Sequence, residues 1–189
     1  MTPEEVEAAV PAAALGAWVR DHVPGASGTV SVSHLSGGSS NLTFRVRDGE
    51  HDWVLRRPPL GAFLATANDM GREHRVQSGL NLTDLPVPTT VAMCTDEQVI
   101  GVPFYLMEFV DGIVYADADD VSHLDAAQAL AATDALIDVL ARLHAVDFAA
   151  VGLGDLGRPD GFLQRQVDRW CTQWERSKQR ELPAIDEVA

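Results

Sequence analysis

The residues of this chain able to do chemistry fall into groups met in a fixed order. Ser36-Gly37-Gly38-Ser39-Ser40-Asn41 joins paired glycines, which let backbone N–H groups approach an anion closely, to hydroxyl and amide donors. Such a loop covers phosphate or merely turns a hairpin, and its residues alone leave both open. Arg56 ends an extended run and shares a strand face with Val54, because strand side chains alternate. A flat apolar surface beside a permanent cation suits a purine ring and its phosphates, the alternative being an exposed edge arginine beside Arg57. Glu73 comes next, three residues before Val76 and seven before Leu80 on a helical stretch. It therefore shares the apolar face and points inward, where a carboxylate needs a cation. Arg56 is the partner this implies, with Arg72 or Arg75 on the same helix as the alternative. Phe104-Tyr105-Leu106-Met107-Glu108-Phe109-Val110-Asp111-Gly112 closes the series. As an extended segment it offers C=O and N–H groups at one-residue intervals to the edge of a base; as pattern it is equally a core strand.

The elements that must position these groups can be read from periodicity. Thr2-Pro3-Glu4-Glu5 is a helix start, with an N-cap, a proline in the first turn and a carboxylate three residues on. A second helix is predicted over 12–22 with Leu15, Trp18, Val19 and Val23 on one apolar face. Alternation then predicts strands over 29–32, 42–47 and 53–56, with Asp48-Gly49 turning a hairpin and Arg57-Pro58-Pro59 stopping the third strand. Thr66 with Asp69 caps a helix predicted to run to residue 79, and strands over 87–93 and 104–110 are joined by an Asp96-Glu97 turn. The expected fold is α+β: a five-stranded antiparallel sheet with one inserted helix, then helices over 124–146 and 161–178. The expected organisation is a helical segment over 1–27, a sheet lobe over 28–112 and the start of a helical lobe over 113–189. Leu163, Val167, Trp170 and Trp174 share one side of the last helix and need a surface to cover them.

Composition narrows the chemistry. With 46% hydrophobic and 22% charged residues the chain is an ordinary globular one. A formal charge of −14 argues against nucleic acid and anionic lipid as partners. No run approaches the ~18 apolar residues of a membrane span. Cys94 and Cys171 form no metal-ligand spacing, and a reduced cytoplasmic setting is expected. The six histidines offer no pair at helical ligand spacing, which argues against a metal hydrolase. Lys178 is the one lysine, so every cationic role in the interior falls to arginine.

The wording of the motifs is more specific than any one of them. In order they run Gly37-Gly38-Ser39-Ser40-Asn41-Leu42-Thr43-Phe44, Val54-Leu55-Arg56-Arg57-Pro58-Pro59, Arg72-Glu73-His74-Arg75-Val76, Leu106-Met107-Glu108-Phe109-Val110-Asp111-Gly112 and Leu140-Ala141-Arg142-Leu143-His144-Ala145-Val146-Asp147. This set resembles the aminoglycoside phosphotransferase family of small-molecule kinases, and its order resembles the N-lobe of the protein-kinase-like fold.

The resemblance implies a function and roles for particular residues. ATP would be the donor and a hydroxyl of a small metabolite or antibiotic the acceptor. Ser39, Ser40 and Asn41 would position the nucleotide phosphates. Arg56 stands where such kinases usually place a phosphate-contacting lysine, and Glu73 where a helix glutamate orients it. Val54 would lie against the base, Met107 would border the adenine pocket, and the Glu108 carbonyl with the Val110 amide would read the base edge. Arginine for lysine is a departure, since a planar fork binds two oxygens at once.

The family's catalytic aspartate, in a His-Gly-Asp type motif, and the asparagine and aspartate that bind Mg²⁺ are expected after the last helix, and the sequence does not contain them. Ser122-His123-Leu124-Asp125 is no substitute, since it precedes the long helix and Leu130 stands five residues after its aspartate. The chain is therefore expected to be the N-terminal part of a phosphotransferase, with no catalytic residue or metal ligand of its own and inactive alone. A non-catalytic nucleotide-binding or protein-interaction module is the alternative. Seven aspartates and no Lys or Arg between Asp111 and Asp138 suit a cationic acceptor or simply a soluble surface. Self-association through Trp170 and Trp174 is a further expectation.

Overall fold

The structure is a computed structural model that describes residues 1–35, 41–61, 69–115, 117–158, 160–177 and 184. Two helices open the chain, α1 (Pro3–Ala9) and α2 (Ala12–His22). At the start of α1 the Thr2 side chain accepts from the Glu5 backbone N–H while the Glu5 carboxylate accepts from that of Thr2, so two otherwise orphaned donors are satisfied reciprocally. Strands β1 (Ser31–Leu35), β2 (Leu42–Asp48) and β3 (His51–Arg57) form an antiparallel meander. Helix α3 (Met70–Leu80) follows, then β4 (Thr90–Cys94), a single helical turn α4 (Glu97–Ile100) and β5 (Phe104–Glu108). The sheet order is β1-β2-β3-β5-β4, all antiparallel, so β5 inserts between β3 and β4. Helices α5 (Ala126–His144) and α6 (Phe162–Ser177) complete the described elements.

The predicted α+β class and sheet with an inserted helix are what the structure has, with differences at element ends. β3 begins two residues earlier than the alternation suggested, pairing His51 with Asp48 directly across the turn, where Gly49 takes φ 57°. β4 begins at Thr90 instead of residue 87, because Pro88 cannot donate to a ladder. The freed Pro88 carbonyl accepts from Gln77 Nε2 at 2.8 Å and Asn81 Nδ2 at 3.0 Å. β5 stops at Glu108, short of Val110. The expected turn at Asp96-Glu97 is the start of α4, capped by the Asp96 side chain on Gln98 N–H and ended by left-handed Gly101. Thr66, proposed as a cap, lies outside the described residues; Asp69 caps α3 by accepting from Arg72 N–H at 2.9 Å.

The two faces of the sheet differ in kind. Phe44, Val46, Trp53, Leu55, Phe104 and Leu106 point to one side and are buried against Leu15, Trp18 and Val19 of α2. Trp18 meets Phe104 edge-on, with ring centroids 5.0 Å apart. At the rim of this core the buried Arg57 guanidinium donates to the carbonyls of Ala9 and Pro58, which supplies acceptors for a charge that burial disfavours. The Asp48 carboxylate, also buried, accepts from Ser27 N–H at 2.6 Å, Gly28 N–H at 3.1 Å and the Ser27 hydroxyl, tying the α2–β1 connection to the end of β2. The opposite face carries the polar residues.

Candidate functional site

Strand register builds the site. Thr43 of β2 lies opposite Arg56 of β3, which lies opposite Tyr105 of β5, so three polar side chains stand abreast on the face away from α2. One step along the same face, Arg45, Val54 and Met107 form the next rank. Helix α3 brings Glu73 to the first rank. Its carboxylate takes two parallel hydrogen bonds from Arg56, Nε to Oε2 at 2.8 Å and Nη2 to Oε1 at 2.9 Å. The Tyr105 hydroxyl donates to Oε2 at 3.1 Å and Asn41 Nδ2 donates to Oε1 at 3.0 Å. Arg56 Nη1 donates to the Thr43 hydroxyl at 3.3 Å.

This arrangement fixes the charge states. Burial alone disfavours ionisation of Glu73, but the hydrogen bonds and charge of Arg56, then the bonds from Tyr105 and Asn41, outweigh it, and its pKa lies below the ordinary value. Arg56 is held cationic by Glu73 against its own partial burial. The Tyr105 phenol is pushed up by burial and by the adjacent Glu73 charge, so it remains a donor. The five guanidinium N–H groups of Arg56 exceed those spent on Glu73 and Thr43.

A second cluster lies at the far end of the same face. Arg45 donates to both carboxylate oxygens of Asp52, at 2.9 Å and 3.1 Å from Nε, and its guanidinium carbon sits 3.7 Å from the centre of the Phe109 ring. Phe109 N–H donates to the Asp52 carbonyl at 3.2 Å. The segment leaving β5 is thus held by Asp52 and Arg45 just where Glu108 and Val110 follow Met107. Glu108 N–H donates to the Thr89 carbonyl at 2.8 Å, and Val110 is exposed beyond the strand end. Alongside α3 a cavity of about 490 Å³ is lined by Arg72, Glu73, Val76, Gln77 and Leu80 with Val87 and Pro88.

The residues singled out from sequence are distributed as follows. Val54, Arg56 and Met107 share the sheet face, and Glu73 reaches it from α3. Asn41 stands immediately before β2, 9% exposed, bonded to Glu73. Ser39 and Ser40 lie outside the described residues. Glu73 pairs with Arg56, and neither Arg72 nor Arg75 takes that place.

Sequence reasoning missed Tyr105, Thr43 and Gln77. Gln77 donates to Met107 Sδ at 3.2 Å and accepts from the Tyr105 hydroxyl at 3.4 Å. The signal was present: Tyr105 is two residues before Met107 on an alternating strand, and Gln77 is one helical turn after Glu73. Among the described residues no group of three or more His, Cys, Asp or Glu side chains is placed to hold a metal ion. Among them, too, no helix is long and apolar enough to cross a membrane.

The chain is similar to known proteins. The family model for the phosphotransferase enzyme family matches residues 31–189. A crystal structure from Ralstonia eutropha, provisionally named an aminoglycoside phosphotransferase, superposes with a TM-score of 0.73 at 39% sequence identity, covering 93% of this chain and 50% of that one. Acyl-CoA dehydrogenase family member 11 of Gallus gallus is 37% identical over 163 residues, 86% of this chain and 21% of its own. Family member 10 of Mus musculus is 33% identical over 86% of this chain and 15% of its own. The chain thus spans half of the solved relative and about a seventh and a fifth of these two curated ones.

Proposed function

We propose, because the chain belongs to the phosphotransferase enzyme family, that the groove between the polar sheet face and α3 binds ATP for transfer of its γ-phosphate to a hydroxyl of a small molecule. The observation that carries this reading is the two-pronged Arg56–Glu73 pair on that face. In it Glu73, itself held by Tyr105 and Asn41, fixes the guanidinium so that its remaining N–H groups meet phosphate oxygens. The base lies against Val54 and Met107, which stand side by side on that face, and the Glu108 carbonyl and Val110 N–H read its edge. The loop ending in Ser39, Ser40 and Asn41 covers the phosphates.

The residues fit a nucleotide: a fixed cation, an apolar platform and an extended segment anchored through Phe109. They do not by themselves fit Mg²⁺, for the described residues hold no clustered metal donors. What this chain's residues do is bind and orient the donor. The acceptor, a metabolite or antibiotic, cationic if it exploits the run of aspartates from Asp111 to Asp138, belongs to the reaction as a whole.

A second reading, a nucleotide-binding or interaction module without catalysis of its own, is favoured by one observation. The curated relatives match this chain over only 15% and 21% of their own lengths and are named for a different activity. The test for the first reading is thermal unfolding with and without ATP. ATP is expected to raise the unfolding temperature, as any ligand of the folded state does, and the double substitution Arg56→Ala, Glu73→Ala to remove the shift. Equal shifts in both proteins would show that the groove is not where the nucleotide sits.

A further inference from the structure

Helix α3 is gripped from two opposite sides. Successive residues turn about 100° around an α-helix, so Glu73 and Gln77, facing the sheet, lie across the axis from Arg75 and Gly79. That second side is covered by the segment that follows α5. Arg75 donates to the Asp155 carboxylate through both terminal nitrogens, Nη1 to Oδ2 at 3.2 Å, and from Nη2 to the Gly152 carbonyl at 2.7 Å. One turn further on, a Cβ at Gly79 would come within 3.0 Å of the Val151 carbonyl oxygen and 3.1 Å of Leu153. Leu153 is 6% exposed although the helix before it has no buried residue.

A glycine inside a helix costs about 1 kcal/mol relative to alanine. Here the missing Cβ is what lets the segment lie flush against the helix. The segment is itself stiffened: Asp147 accepts from Ala149 and Ala150 N–H at 3.0 and 3.1 Å, and Leu153 N–H donates to the Phe148 carbonyl at 2.7 Å. A second strut runs beside it, from Arg142 of α5 to the Asp84 carbonyl at 2.5 Å and carboxylate at 3.1 Å, in the connection that leaves α3.

We infer that residues 147–157 are a brace that sets the position of α3, and that Arg75, Gly79, Leu153 and Asp155 are positioning residues for the nucleotide groove. Glu73 meets Arg56 only while α3 keeps its distance from the sheet, and the brace acts on the helix at the side away from that pair. The link to nucleotide affinity rests on the reading proposed above; the link to the helix does not.

The test compares the unsubstituted 189-residue chain with Asp155→Ala, Gly79→Val and the exchanged pair Arg75→Asp, Asp155→Arg. Two quantities are read: amide hydrogen exchange across α3, and affinity for a fluorescent ATP analogue. Exchange across α3 is expected to quicken in both single variants, most in Gly79→Val, while β2, β3 and β5 keep their protection. Analogue affinity is expected to fall about two- to five-fold in Asp155→Ala, in keeping with the modest strength of an exposed ion pair. The exchanged pair recovers both quantities, which a general loss of structure would not do. Unaltered exchange across α3 in the single variants overturns the brace, whether or not nucleotide binds. A wild-type chain that fails to bind the analogue overturns the nucleotide reading and leaves hydrogen exchange to decide the brace. Should Gly79→Val not fold, Asp155→Ala, whose side chain is 77% exposed, decides alone.

Discussion

Phe44, Leu55, Phe104 and Leu106 in the sheet are wholly buried, whereas Leu136 in α5 and Leu163 and Trp170 in α6 are 69%, 77% and 65% exposed. Both regions carry regular apolar spacing, yet among the described residues only the sheet finds a surface to bury it against, in α1 and α2. Periodicity therefore announces that a face expects cover without saying where the cover comes from. The ordering of the sheet region has a hydrophobic source, while α5 and α6 rely on helix propensity, a capping box at the start of α5 and a few polar ties, which stabilise isolated helices only marginally.

The contrast is broken most forcefully in the sheet. Phe44→Ala removes a wholly buried ring from the middle of the core and is expected to cost about 3–5 kcal/mol in chemical denaturation. A loss under about 1 kcal/mol would mean that the sheet core does not carry the stability assigned to it. Next in size is Asp48→Ala. The buried carboxylate takes two backbone N–H groups and a hydroxyl from Ser27 and Gly28, and its loss orphans them at a cost of about 2–4 kcal/mol. Substitution to asparagine, which keeps one acceptor oxygen, is expected to recover part of this, and equal losses for both variants would point to packing in place of hydrogen bonding.

Much of the sheet region was legible beforehand because local signals agreed there: alternation over 42–47, the Asp48-Gly49 turn and the proline stop after Arg57 each set one boundary. The Arg56–Glu73 encounter was legible because an inward-facing helix carboxylate demands a cation. What escaped the sequence was non-local. Tyr105 and Thr43 join the site through register between strands distant in the chain, and the stack of Arg45 on Phe109 depends on β5 entering between β3 and β4. Asp48 read as a turn residue, since nothing local reveals that its side chain reaches back to Ser27. The exposed helices were placed to within a few residues, but their surroundings were not, for periodicity contains no information about a partner.

The polar face supplies a finer comparison with the core. Above its unfolded pKa the Glu73 carboxylate contributes stability, because Arg56, Tyr105 and Asn41 hold its folded value below 4.5. That contribution is lost as pH falls through the folded value, so the relevant window lies below 4.5. Glu73→Gln is expected to be less stable than wild type at neutral pH, with the gap closing as the solution is acidified through this window. Burial lowers the pKa of the neighbouring His74 in both proteins. A gap independent of pH would indicate that the site uses the shape of Glu73 and not its charge.

The smallest effect belongs to the other region, and its smallness is what gives it meaning. Leu163 projects from the first turn of α6 with 77% of its surface in solvent, so truncation to alanine forfeits little burial and slightly favours the helix. Leu163→Ala is therefore expected to change unfolding free energy by less than about 0.5 kcal/mol. Leu55→Ala in the sheet core would be several times costlier, although the residue type is the same. A loss above about 1 kcal/mol, growing with protein concentration, would mean that the α6 face is covered in solution by a second copy of the chain. The loss would then report an association equilibrium, and the contrast between the two regions would be one of intramolecular against intermolecular burial.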